Sequence, residues 1–523
     1  MTAEYLETEV VVVGGGPVGL MLAAELRLGG ADVLVLETRG APTTESRAST
    51  LHARTMEILD SRGLLPAFGS PPREVRGHFG GIALDLTLPS AHFGQWKVPQ
   101  TQTERVLQDW AQSLGARITR LHTLRALRTS EQGVEAVAAG PHGPVRIRAR
   151  YLVGCDGEDS TVRRLLGAHF PGQDAHRELL RADVAGIDVP GRRFERLPRG
   201  LAVAARRGDG VTRVMVHEFG RDAATRTAEP DFAEVCEVWQ RVTGEDISSG
   251  TPLWVNSFGD ACRQLTGYRH GRILFAGDAA HRQMPIGGQA LNLGLQDAHN
   301  LGWKLAATVR GRTPQTLLDT YHTERHAVGR RVLANIKVQA QLLLGGAEAG
   351  SPRALITELL ASPKVRGHLA AMIAGLDIRY DTQGGAGHPL LGARLPHVDL
   401  MVRQRRATST ALLRSGRPLL LTLHPETAAL HRDAKPWSDR IITVAATPAP
   451  ATDAATAPGT GTSTGIGAGA VLVRPDGHVV WAQPGDTPLR AALTCWFGPP
   501  AAQDTAAADH RLVPSSFRFA FEG

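Results

Sequence analysis

The tightest constraint on this chain is a cluster of glycines near its start. Gly14-Gly15-Gly16-Pro17-Val18-Gly19 fits the pattern GxGxxG, directly after a β-branched run at 9–13 and before apolar residues at helical spacing over 20–28. Gly14, Gly16 and Gly19 let the backbone turn tightly and approach a pyrophosphate, whose charge meets the free N–H groups at the helix N-terminus. A second short apolar strand at 31–36 ends on Glu37, where a carboxylate accepts hydrogen bonds from a ribose. A strand, turn, helix and acid in this order predict a dinucleotide site in a Rossmann-like α/β fold. NAD and FAD share the fingerprint, so these residues leave the cofactor open.

Two further strand-turn-helix units follow. One enters from 149–153, turns at Gly154-Cys155-Asp156-Gly157 and runs into 160–166. The other enters from 272–276, turns at Gly277-Asp278 and passes Gly287-Gly288 into a helix over about 291–310. Between the three units, residues 73–96 and 173–262 carry short alternating pieces with Pro and Gly turns, the texture of antiparallel sheet. The economical arrangement is a nucleotide fold made of 1–72, 97–172 and 263–384, interrupted twice by one mixed or antiparallel substrate-binding sheet. After residue 384, strand-like pieces at 418–423, 440–445, 470–473 and 478–481 predict a small terminal α/β domain over 385–523. Residues 447–469 are Ala/Thr/Pro/Gly-rich and read as a disordered loop. Their glycines, at 459, 461, 465, 467 and 469, mimic a phosphate motif without a strand before them.

Net charge is +7, and only five of the 58 basic residues are lysine. The arginines are scattered, with no run of five like charges, so neither nucleic acid nor a membrane surface is expected as a partner. Four cysteines make no CxxC and predict neither a disulfide framework nor zinc, in keeping with a reducing cytoplasm. The weakly charged stretch 10–24 is too short and too glycine-rich to span a membrane, and no export signal is read. Histidine is plentiful at 20 residues but lacks metal spacing, so no metal is expected, and His281 is read as structural.

The segment Leu152-Val153-Gly154-Cys155-Asp156-Gly157 resembles the DG motif of the para-hydroxybenzoate hydroxylase-like (group A) flavin monooxygenases. Gly271-Arg272-Ile273-Leu274-Phe275-Ala276-Gly277-Asp278 resembles their GD motif, and Pro285-Ile286-Gly287-Gly288-Gln289-Ala290-Leu291-Asn292 their flavin loop. The resemblance covers nearly the whole chain, and Leu51-His52-Ala53-Arg54-Thr55-Met56-Glu57 and His388-Pro389-Leu390-Leu391-Gly392 resemble the aromatic polyketide and angucycline hydroxylase subset. It implies FAD as cofactor, with Asp278 on the ribityl chain and Asp156 and Gly157 beside it. It also implies Arg47 and Gln100 near the cofactor, Pro285 and Gly288 against the flavin, and Leu291 and Asn292 N–H groups on the pyrimidine oxygen. It implies a thioredoxin-like terminal domain too, here without a redox cysteine pair. Ala290 departs from the glycine usual in the family, so the loop is strained if that position needs positive φ.

The implied reaction is oxygenation of a multi-ring polyketide, with NADPH or NADH as reductant and O2 as oxygen source. The flavin hydroperoxide of this family delivers one oxygen to an electron-rich ring. Arg54 and Pro285 are the catalytic candidates, and Trp96, Met215 and His217 the candidates for the substrate wall. Two alternatives stand beside hydroxylation: Baeyer–Villiger or epoxidising oxygenation on the same scaffold, and a flavin-binding partner without turnover. A single nucleotide fingerprint leaves NADPH without a Rossmann domain of its own, and the absence of WxWxIP disfavours a halogenase. Oligomeric state is left open.

Overall fold

The structure is a computed structural model that describes residues 4–43, 48–226, 228–382, 387–450 and 466–500. Its centre is the strand Glu4–Val13, whose last four residues are buried on both faces, as a central parallel strand requires. It pairs in parallel with Gly143–Gly154 on one side and Val33–Leu36 on the other. Ile273–Phe275 and Arg117–Thr119 extend the sheet, again in parallel. The strands Thr123–Thr129 and Val134–Gly140 run antiparallel along the long strand Gly143–Gly154.

This topology sets three motifs side by side. Val13 is in register with Gly154, and Gly154 with Phe275. The three turns that follow, at Gly14, Cys155 and Gly277, therefore leave the same carboxyl edge of the sheet, the edge at which open α/β sheets bind ligands. The helices Pro17–Leu28 and Gln289–Val309 cross closely at Gly302, where a Cβ would come within 2.4 Å of Glu25 Cβ.

A second, antiparallel sheet has five strands, with Glu178–Ala185 between Val211–Glu218 and Thr251–Gly259, and Gly200–Arg206 and Arg192–Leu197 beyond. Its strands alternate. Leu180, Ala182, Val214 and Val216 pack beneath helix Phe232–Thr243 around Trp239. Leu179, Leu201, Met215 and Phe258 face the other way and meet Met284, Ile286 and Ile336.

The expected single interrupting sheet is corrected by the pairing of 73–97. Gln95–Lys97 pairs with Thr50–His52 and with Arg73–Glu74, while Arg76–Phe79 and Ile82–Asp85 form their own hairpin. That hairpin touches the five-stranded sheet through side chains, His78 lying 4.4 Å from the Phe194 ring between centroids. Alternation marks a strand but does not name its partner.

The terminal domain holds a four-stranded sheet in the order Ile442–Ala445, Leu419–Thr422, Ala470–Val473, Val479–Gln483. The first pair is parallel and the others antiparallel. The expected disordered loop is ordered at both ends. Thr447–Pro448 pairs with Leu400 and Met401, and Ile466 and Ala468 are buried. Residues 451–465, with Gly459, Gly461 and Gly465, lie outside the described residues. Among the described residues, no helix is long and apolar enough to cross a membrane.

Candidate active site

The glycine turn shows which of its glycines the fold needs and which it leaves free. Gly14 has φ of +108°, and a Cβ there would stand 2.3 Å from the Cys155 carbonyl oxygen; a Cβ on Gly19 would stand 2.0 Å from that of Gly14. Gly16 has nothing within 4 Å of such a Cβ, so it faces open space at the start of helix Pro17–Leu28, whose N-cap supplies no side-chain acceptor. The first N–H groups of a helix have no partner inside it. The Gly15 N–H donates to Glu37 Oε2 at 2.7 Å, and the other carboxylate oxygen accepts from Arg39 N at 2.8 Å. Glu37 thus sits against the turn.

Next to it, Asp156 caps helix Thr161–Leu166, its Oδ2 accepting from Thr161 N at 2.7 Å and Val162 N at 3.0 Å. Gly157 has open space around its Cβ position. On the third strand, Asp278 is the one exposed residue within the otherwise buried 273–281. Gln100, first in helix Gln100–Ser113, accepts from Ala48 N at 3.2 Å and donates to Glu104 at 2.8 Å. Arg47 lies outside the described residues.

The flavin loop is fixed by two residues on the strand Thr50–His52 and one on its own helix. Asn292 Oδ1 accepts from His52 N at 2.8 Å, while its Nδ2 donates to Thr50 O at 3.0 Å and Gly288 O at 2.7 Å. His52 Nε2 donates to Gly287 O at 2.7 Å, and burial holds its ring neutral, down at about 4. Gly287 and Gly288 carry the left-handed conformations, φ +65° and +70°. Ala290 lies in the first turn of helix Gln289–Val309 and has no positive φ. The expected strain is therefore absent: the glycine requirement falls on 287 and 288. Gly288, as N-cap, has no side chain to offer, which leaves the first N–H groups of the helix, Leu291 among them, without a side-chain cap, the place for an anionic oxygen. Pro285 is exposed just before the loop.

These residues fit FAD. The cradle has no Cβ at Gly16 and Gly157, Asp278 is exposed on the turn after the adjoining strand, and helix Gln289–Val309 starts without a side-chain cap.

Residues 7–336 match the family described as FAD binding domain, and residues 388–500 that described as aromatic-ring hydroxylase, C-terminal. The chain belongs to the FAD-dependent aromatic-ring hydroxylases. A 12-dehydrotetracycline 5-monooxygenase/anhydrotetracycline 6-monooxygenase of Streptomyces rimosus is 40% identical, over 94% of this chain and 99% of its own. The dialkyldecalin synthase of Streptomyces rugosporus is 37% identical over 94% and 99%. The crystal structure of CabE, an aromatic hydroxylase from angucycline biosynthesis, superposes with a TM-score of 0.89 at 47% identity, covering 94% of this chain and 99% of that one.

In this hydroxylase several expected site residues stand elsewhere. Arg54 donates to Asp476 O at 2.9 Å and to Glu57 at 3.3 Å, so its guanidinium is held between a carboxylate of its own helix and a backbone carbonyl of the terminal domain. His217 is buried with Nδ1 2.8 Å from Glu178 O and Nε2 3.2 Å from Leu344 O, so whichever nitrogen carries the proton faces a backbone carbonyl. It ties the sheet to the end of helix Asp319–Leu344 and leaves no nitrogen for a substrate. Trp96 donates to His92 O at 3.2 Å and packs on the central core. Met215 does face the loop, in the cluster with Met284 and Ile286.

The sequence reading missed the support beneath the GD turn. Asp297 Oδ2 accepts from Gly277 N at 3.2 Å and His281 Nε2 at 2.7 Å, and its Oδ1 accepts from Arg325 Nε at 2.7 Å. Arg325 then donates to Tyr380 and to Leu293 O. Burial opposes ionisation of Asp297, but Arg325 and then His281 hold its carboxyl below the usual range. An acid and an arginine at buried positions of two neighbouring helices are the available signal.

Proposed function

We propose that this FAD-dependent monooxygenase hydroxylates an electron-rich ring of a fused-ring aromatic polyketide, drawing on NADPH and O2. One observation carries the substrate class: the loop residues Met284 and Ile286 face an apolar surface of Leu179, Leu201, Met215 and Phe258 on the five-stranded sheet. An apolar sheet face packed directly on the flavin loop supports a mostly apolar ring system as substrate. The tetracycline monooxygenase at 40% identity supports the same class.

FAD bound at the carboxyl edge supplies the redox and dioxygen chemistry. The chain's own residues bind and orient. Gly16 and the bare helix behind it hold the pyrophosphate, Glu37 the ribose, and Asp278 the ribityl chain. Asn292 and His52 fix the loop so that the first N–H groups of the helix, Leu291 among them, stabilise negative charge on the pyrimidine end. The apolar sheet face packed on the loop helps to keep water from the reacting centre. We assign 1–72, 97–172 and 263–384 to cofactor binding and 173–262 to the substrate wall. The terminal sheet order, one parallel pair extended by an antiparallel hairpin, supports a thioredoxin-like reading of that domain with a structural role.

The test is incubation of the FAD-loaded enzyme with NADPH, O2 and a panel of angucyclinones and anhydrotetracyclines. Products gaining one oxygen as a ring hydroxyl are expected. Inserted lactones would show Baeyer–Villiger chemistry, and conversion without NADPH would show a non-oxidative activity instead.

A further inference from the structure

Beside the flavin loop, on the flank of helix Gln289–Val309, lies a cavity of about 170 Å3. Its floor is one face of that helix at i, i+3, i+4 and i+7, namely Gln289, Asn292, Leu293 and Gln296. Helix Asp319–Leu344 contributes Val328 and Val332, and helix Pro363–Ala374 contributes Met372 and Ile373. The Arg331–Asp377 ion pair stands at the rim.

Gln296 makes this more than a packing gap. Its side chain lines the cavity at only 8% exposure, and among the described residues its carboxamide has no hydrogen-bond partner. Its amide atoms reach the space of the cavity and not a protein partner, so whatever fills the cavity is what they bond to. Gly375 leaves it room, since a Cβ there would come within 2.8 Å of Gln296 Nε2. The amide both donates and accepts, so it suits a hydroxyl or a ring carbonyl.

We propose that this cavity is a second ligand site, taking one oxygen-bearing ring of a flat hydroxylated aromatic molecule with Gln296 as its hydrogen-bond partner. A cavity of roughly 150 Å3 accepts a benzene ring, whereas whole drug-sized ligands need about 300 Å3 or more. One ring therefore enters, and the remainder of a larger ligand leaves past Arg331 and Asp377. The apolar walls and the Met372 thioether match the ring faces. Because Asn292 and Gln289 belong to both floor and flavin loop, occupancy here reaches the flavin environment. Substrate and product share this chemistry. The inference takes only the ligand class from the hydroxylase reading above.

The probe is 6-bromo-2-naphthol, added to the full-length FAD-loaded enzyme. In a co-crystal, bromine anomalous density is expected in the cavity; density confined to the sheet side of the loop, or none, overturns the proposal. In titrations, Gln296→Leu is expected to weaken binding about 10-fold and Val328→Trp to abolish it, with FAD content unchanged. Wild-type affinity in both variants also overturns it, and the crystal decides if a variant fails to fold. Repeating the titration with an angucyclinone and with its oxygenated product separates substrate from product as occupant. Substrate-stimulated NADPH oxidation is measured separately: its absence with bromine in the cavity sinks the hydroxylation reading alone, and its presence without bromine sinks only the second site.

Discussion

Arg325 and Asp297 meet at 2.7 Å with both side chains wholly buried, and the same carboxylate holds the Gly277 N–H of the GD turn. The pair therefore connects helix Asp319–Leu344 to the backbone that carries Asp278. Replacing Arg325 with Met leaves Asp297 ionised beside a single histidine. Removing one partner of a buried pair costs about 3–5 kcal/mol. The expected outcome for Arg325→Met is a large fall in Tm together with loss of bound FAD, while Arg325→Lys recovers part of both. Full FAD retention in Arg325→Met would show that the GD turn does not depend on this support.

The glycine turn predicts two different failures. Gly14→Ala places a methyl 2.3 Å from the Cys155 carbonyl at a φ of +108°, so the protein itself is expected to be destabilised. Gly16→Ala meets nothing within 4 Å, so it should fold normally and lose affinity for FAD, whose approach it blocks. Thermal melts of apo protein set beside FAD titrations separate these. Equal behaviour of the two variants would contradict the assignment of Gly16 to the ligand.

Asn292→Ala removes the bonds to His52 N and Thr50 O that set the loop against its neighbouring strand. The helix N-terminus remains but its aim is loosened. Substrate-stimulated NADPH oxidation is expected to fall at least ~10-fold, with a larger share of the reducing equivalents lost as hydrogen peroxide. Peroxide yield per NADPH is the decisive number, and an unchanged yield would place the loop's rigidity elsewhere.

These contacts divide into those the sequence announces and those it hides. The glycine turns are legible because their steric demand is local: in the first, strand, positive φ and helix follow within six residues. The five-stranded sheet is legible from alternation alone. Pairing of Gln95–Lys97 with Thr50–His52 is not, since it joins residues 45 apart whose alternation fits any partner. Arg54 carries the right motif context, yet its direction is set by a turn at Asp476, 422 residues away. Ala290 shows the reverse case, a visible departure whose consequence disappears once the helix is seen to begin at Gln289.

Buried histidines, His52 and His478 among them, lower stability in acid. Burial holds His52 at about 4, and holds His478 at about 4 against the pull of Asp476. The unfolded chain takes up these protons near pH 6.5, but the folded protein refuses them until about pH 4. Their contribution is complete above pH 6.5 and falls as pH drops, by roughly 1.4 kcal/mol per unit for each group. Tm is expected to decline between pH 6.5 and 4, less steeply in His478→Gln. A flat profile there would mean the rings stay accessible to protons.

The terminal domain is held by a charge cluster at Arg474. Its Nη1 and Nη2 donate to Glu324 at 2.6 and 2.9 Å and its Nε to Asp476 at 3.0 Å, while Lys304 Nζ and Asn300 Nδ2 each reach Glu324 at 2.7 Å. Two acids and two bases balance in a buried site. Burial opposes ionisation of Glu324, yet Arg474 and then Lys304 hold its carboxyl down at about 2. That contribution is present above the ordinary value near 4.5 and is lost as pH falls towards 2. Arg474→Met leaves two carboxylates facing one lysine, at a cost of about 3–5 kcal/mol at pH 7. Glu324→Gln added to it removes the surplus charge and should restore part of the loss. Tm measured for the single and double variants checks this, and a double variant less stable than Arg474→Met would show that shape, not charge balance, holds the two domains together.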